Sequence, residues 1–249
     1  MNTKPEARTR RMISVLAALL LAVVGLAVWG LPRLSADATP STTALTGQMA
    51  GPHHGANPGH GHDRPTVLRT PAQVAFHDDM RKLWEDHVTW TRLAIVTFAD
   101  DSPSFPATAE RLLQNQVDIG DAIKPYYGEA AGDHLTALLH DHITIAVEIL
   151  QAAKAGDDAQ LADARQRWAA NGDDIGDFLG AADPENWPAD DMRAAMAGHL
   201  EQTFSEAANE LGGNYAASVA DYEQAHLHML AMADVLSGGI MDQFPKMFR

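Results

Sequence analysis

His87, His142 and His199 each fall within an apolar stripe of helical period, and a fourth segment of the same kind turns either His226 or His228 inward. His87 lies one turn from Trp84 and Thr91, His142 belongs to the run Leu135, Leu139, Ala146, Ile149, and His199 to the run Met192, Met196, Thr203, Ala207. Imidazoles held between helices and oriented by carboxylates or amides are a common ligand set for transition metals, so these five histidines are candidate metal ligands. Asn115 with Asp118, and Asn171 with Asp174, stand at i and i+3 on their helices and, with Asp234, form a candidate buried polar network around the rings. Glu148, Glu206 and Glu223 lie within a turn or two of the histidines.

Residue types narrow the metal. Glu223-x-x-His226 has the local form used by di-iron carboxylate bundles, but that architecture needs two such motifs and two further glutamates, and this chain has one. Met192 and Met196 share the stripe of His199, and Met229 and Met232 lie on the sixth helix, so thioethers accompany imidazoles in the way that selects copper; zinc suits the imidazoles alone. Two facing histidines also form an axial pair for a non-covalent haem. The same residues have a second reading with no ligand at all, in which Asn and Asp hydrogen-bond the imidazoles and fix helix register.

The elements that position these side chains are helices. Asn115-x-x-Asp118-Ile119-Gly120-Asp121 returns as Asn171-x-x-Asp174-Ile175-Gly176-Asp177, and each copy is followed by a helix with a histidine on its apolar face, His142 and His199. A helical hairpin therefore occurs twice in the middle of the chain. Caps, prolines and glycines divide the region into helices over about 71–99, 106–123, 132–155, 159–182, 188–211 and 215–237, with Gly238-Gly239 ending the last and an apolar tail from Ile240 folding back. No segment alternates with the period of a half-buried strand. The fold class is all-α, an up-and-down bundle of about six helices with an internally repeated hairpin.

Ahead of the bundle the composition changes twice. A basic stretch, 1–11, precedes an unbroken apolar run from Met12 to Leu31, long enough at 1.5 Å per residue to cross the roughly 30 Å hydrocarbon core. It reads as an uncleaved anchor or as an export signal cleaved after Ala36-Asp-Ala38, and either places residues 39 onward outside the cytoplasm. Residues 32–69 form a Gly, Pro, Ser and Thr-rich linker containing His53, His54, His60 and His62, a second candidate metal-binding set, and 70–249 is the bundle domain.

The formal net charge of -15 excludes nucleic acid as a natural partner, and the absence of cysteine excludes disulfides, thiolate catalysis, thiolate zinc sites and covalently attached haem. No Gly-x-Ser-x-Gly, His-Glu-x-x-His or phosphate-cradling loop is present, so no catalytic residue is assigned and the chain leans away from an enzyme.

Leu83-Trp-Glu-Asp-His87-Val-Thr-Trp90-Thr-Arg92, Arg111-Leu-Leu-Gln-Asn115-Gln-Val-Asp118-Ile-Gly120, Pro125-Tyr-Tyr-Gly128 and Gln243-Phe-Pro245 resemble a bacterial family of uncharacterised helical proteins. The resemblance covers about 80–248 and implies a helical fold. Labels used for its members, glycosyltransferase and acetylglutamate kinase, find no strands and no phosphate loop here to support them. The expectation is a membrane-tethered extracytoplasmic bundle that binds copper or zinc in a binding, storage or sensing role. The competing expectation is a non-catalytic bundle that recruits a protein partner at the membrane surface, and a cofactor-dependent redox enzyme ranks third.

Overall fold

The computed structural model of the chain describes residues 70–249. The apolar run 12–31 and His53, His54, His60 and His62 lie outside the described residues. Within the described residues are six α-helices and no strand: α1 (Pro71–Ala99), α2 (Phe105–Tyr127), α3 (Glu129–Ala155), α4 (Asp158–Ala182), α5 (Ala189–Leu211) and α6 (Tyr215–Gln243), followed by a 3₁₀ turn, Pro245–Phe248. None of these helices is long and apolar enough to cross a membrane.

Each helix packs on the next in sequence and α6 packs on α1, which closes the six into a ring. Connections of a few residues leave consecutive neighbours only the antiparallel arrangement. Across the ring, α1, α3 and α5 also touch one another pairwise, so alternate helices are drawn towards the middle. Met80, Trp84, Ile119, Leu135, Ile175, Trp187, Met196, Met229, Met232 and Ile240 form the main core. A smaller cluster, Ile95, Leu150 and Ala207, seals one end.

Local sequence accounts for most boundaries. Thr70 caps α1 in a capping box with Gln73, Pro71 takes the first helical position, and Gly156 ends α3 at φ 67°. Two stop signals are overridden. Helix α2 runs past Lys124-Pro125 to Tyr127, because Pro125 sits in the last turn, and Gly128 then donates its N–H to the Lys124 carbonyl at 2.8 Å. Helix α6 runs through Gly238-Gly239 to Gln243, because the Trp187 indole packs where a Gly239 side chain would stand and Ile240 and Met241 stay in the core. The tail folds back only from Pro245, where Phe248 enters the core beside Phe76 and Tyr126.

Gly120 and Gly176 recur because two helix pairs approach closely there. A Cβ on Gly120 would lie 2.6 Å from the Gly132 carbonyl of α3, and one on Gly176 would lie 2.8 Å from the Arg193 backbone nitrogen of α5. Gly176→Ala should therefore lower the unfolding free energy by about 1–3 kcal/mol in urea, although alanine is intrinsically the better helix former by about 1 kcal/mol. Asp174→Ala, two residues away and exposed, should stay within about 0.5 kcal/mol of the parent.

Candidate functional site: three buried histidines

Where α1, α3 and α5 come together they place His87, His142 and His199 in contact. Each ring is 2% exposed. His199 is the middle member, its ring centroid 5.7 Å from that of His87 and 5.9 Å from that of His142, and it lies nearly parallel to the latter at 22°. Trp84 meets His87 edge-on at 5.8 Å, and Trp168 covers His142 at 5.1 Å while its indole N–H donates to the His142 carbonyl. The period of each helix explains the convergence, since every histidine is one turn or less from fully buried apolar residues of its own stripe.

The three rings are held differently. Asn171 on α4 donates its amide N–H to the Leu138 carbonyl at 3.0 Å, so its oxygen, 2.9 Å from His142 Nδ1, accepts from the ring. His142 then carries its proton on Nδ1 and leaves Nε2 as a free lone pair. Gln116 on α2 donates its amide to the Leu112 carbonyl and also to His87 Nδ1, at 3.3 Å. His199 Nδ1 has no hydrogen-bond partner among the described residues, and neither do Gln116 Oε1 and Trp84 Nε1. Three unpartnered buried polar atoms thus belong to one cluster of touching side chains.

Charge is excluded from this place. Burial, then the nearby His142 ring, push His87 down to about 3 against the hydrogen bond from Gln116, and burial pushes His142 down to about 4. His199 falls well below its ordinary value through burial and the neighbouring His87, His142 and His228. Among the described residues no carboxylate forms an ion pair with any of the three. The site is a set of neutral nitrogen donors, suited to a borderline or soft cation. Imidazoles sharing one ion through bonds of roughly 2.0–2.1 Å have ring centroids roughly 5–5.5 Å apart, slightly closer than those seen here. As the rings stand, no three His, Asp or Glu side chains among the described residues are disposed around a common metal position.

The other expected site residues lie further out. Asn115 is fully buried, its amide on the Leu83 carbonyl at 3.0 Å. Asp118 and Asp174 leave the network, because a step of three residues turns about 60° away on a helix of 3.6 residues per turn and carries both carboxylates to the surface. Asp118 instead accepts from Gln114 at 3.0 Å. Asp234 pairs at the rim with Arg81 at 2.6 Å and His77 at 3.0 Å. Neither His226 nor His228 joins the buried set: Ala225, Met229, Met232 and Ala233 take the inward face of α6. His226 stacks on Tyr222 and lies 3.6 Å from Glu85. His228 donates through Nε2 to the Ala195 carbonyl at 2.9 Å, so this nitrogen carries the proton.

A second buried polar group was not assigned from the sequence. Arg92 of α1 pairs with Glu206 at 3.2 Å and Glu210 at 2.9 Å on α5, and Ser218 of α6 hydrogen-bonds both Arg92 and Glu210. Glu206 is 2% exposed, and burial, opposed by the Arg92 charge, raises it to about 7. The available signal was spacing, since Thr203, Glu206 and Glu210 continue the stripe of His199.

Among known proteins, no family model, no curated sequence and no solved structure matches this chain.

Stability should respond to pH through both groups, with opposite signs. Below about pH 6.5 the unfolded chain binds protons on three histidines that the folded chain refuses, so stability falls with falling pH, by about 4 kcal/mol from pH 7.5 to 5.5. Over the same range folded Glu206 gains its proton before unfolded Glu206 does, which offsets about 2 kcal/mol. Urea titrations of Glu206→Gln should therefore show about twice the parent's loss between these pH values; an unchanged loss would mean that Glu206 is ionised in the fold.

Proposed function

We propose that the bundle binds one transition-metal ion, copper or zinc, between α1, α3 and α5 through His87, His142 and His199, in a binding, storage or sensing role. The observation that carries this reading is the coincidence of three neutral buried imidazoles with the unpartnered Nδ1 of His199. Leaving such an atom bare costs about 1–3 kcal/mol, and coordination by an ion would remove that cost. Asn171 already orients His142 with its Nε2 lone pair free, as second-layer hydrogen bonds do at metal centres. His142 Nε2 and His199 Nδ1 carry lone pairs as they stand, and His87 joins them when its proton moves from Nε2 to Nδ1 and Gln116 turns its unpartnered Oε1 towards the ring. The apolar cavities lined by Trp84 and by Trp168, about 20 and 40 Å³, leave no room for a haem, which favours a bare ion.

The reading extends to the rest of the chain. The run 12–31 anchors or exports the domain, and His53, His54, His60 and His62 gather ions in the linker for delivery to the buried site. The hairpin echoed at Asn115 and Asn171 supplies the framework, each copy giving an amide to a histidine.

A purely structural reading has its own support, because His87 and His142 already have hydrogen-bond partners within the bundle. Elemental analysis separates the two. The full chain with the four linker histidines replaced by alanine, dialysed against a weak chelator after loading with copper or zinc, should retain one equivalent. His199→Ala should retain none while remaining folded by circular dichroism. No retained metal in the parent would assign the imidazoles to core hydrogen bonding.

A further inference from the structure

The hydrogen bonds around the three histidines follow one scheme, and the third place departs from it. In each case a side chain of the following helix bonds the backbone carbonyl one turn before the buried histidine: Asn115 to Leu83, Asn171 to Leu138, and His228 to Ala195, at 3.0, 3.0 and 2.9 Å. In the first two hairpins an amide also reaches the Nδ1 of the buried ring, from Gln116 to His87 and between Asn171 and His142. Gln116, Asn171 and His228 each stand 29 residues after their histidine. In the third hairpin an imidazole occupies the amide's position, uses its Nε2–H on the carbonyl, and leaves His199 Nδ1 with no partner.

His228 is half-buried and lines a groove of about 180 Å³ between α5 and α6, together with Met192, Ala195, Met232, Val235 and Leu236. With Nε2 protonated, its Nδ1 holds a lone pair. A groove lined by this imidazole and by two thioethers offers a soft ligand set that prefers monovalent copper to zinc or to alkaline-earth ions.

We propose that Met192, Met232 and His228 form a capture site for Cu(I) that loads the ion onto His199. This rests on the central cluster being the metal's final position. Transfer exchanges neutral ligands one at a time, His228 and the thioethers for the unpartnered His199 nitrogen and then its neighbours, with no change in oxidation state. His228 thereby sets the rate of loading, and the buried imidazoles set how much is held.

The test uses the full chain with its linker histidines replaced by alanine, and Cu(I) presented as a coloured chelator complex whose bleaching is followed by stopped flow. His228→Leu removes the imidazole lone pair while leaving His199 Nδ1 unpartnered, so it should keep the fold and one bound equivalent and slow uptake by about tenfold or more. Met232→Leu, which nearly conserves volume, should slow uptake similarly. Uptake at the parent's rate in both variants overturns the capture site. His199→Ala should bleach the chelator quickly but only partly, with the ion recovered on adding fresh chelator. One tightly held equivalent in that variant overturns the central cluster while leaving the rates of the other two variants to judge the groove. No bleaching by the parent overturns both.

Discussion

The structure depends on keeping three imidazoles uncharged in one buried place. Each would be protonated to a large extent in mildly acidic water, and burial at the meeting of α1, α3 and α5 moves all of them far below that range. A bundle can tolerate this only if the rings are packed and oriented as neutral groups, which the flanking indoles of Trp84 and Trp168 and the amides of Gln116 and Asn171 achieve. Acid then acts on this fold chiefly through these rings, because ionising any of them places a charge where no counter-charge is near.

The ring of helices supplies the geometry. Alternate helices can converge only if their partners do not hold them apart, and the glycines at 120, 132 and 176 let backbones come within a distance that any side chain would prevent. The repeated Asn-x-x-Asp-Ile-Gly-Asp therefore carries two separate duties. Its asparagine ties each hairpin to the carbonyl before a buried histidine, its glycine sets helix spacing, and its aspartates stay outside the core.

Charged groups are kept apart from the histidines, in a compartment of their own. Arg92 faces two glutamates, and with one cation for two carboxylates the cluster is neutral when Glu206 holds a proton. Buried ion pairs of this kind add little net stability but penalise any register that leaves one member unpaired. Here they lock α1, α5 and α6 together towards the end of the bundle sealed by Ile95, Leu150 and Ala207.

Much of this was legible in the residues, for reasons that can be named. The 3.6-residue period, the cap at Thr70 and the glycine echo determined six helices, their faces, and His87, His142 and His199 as inward groups, because those signals act within one helix. The final turns of α2 and α6 were not legible, since Pro125 and Gly238-Gly239 are local stop signals overruled by packing from elsewhere in the chain. Nor was the choice at α6: His226 and His228 are two residues apart, and only the position of α1 on one side and α5 on the other shows that both lie at the rim while Met229 turns inward. The sequence by itself determined which side chains each helix buries. Which of them touch, that His199 lies between the other two without a hydrogen bond for Nδ1, and that Arg92 meets Glu206 and Glu210, were decided by the tertiary structure, because contact between helices depends on how the ring closes and closure is a property of all six together.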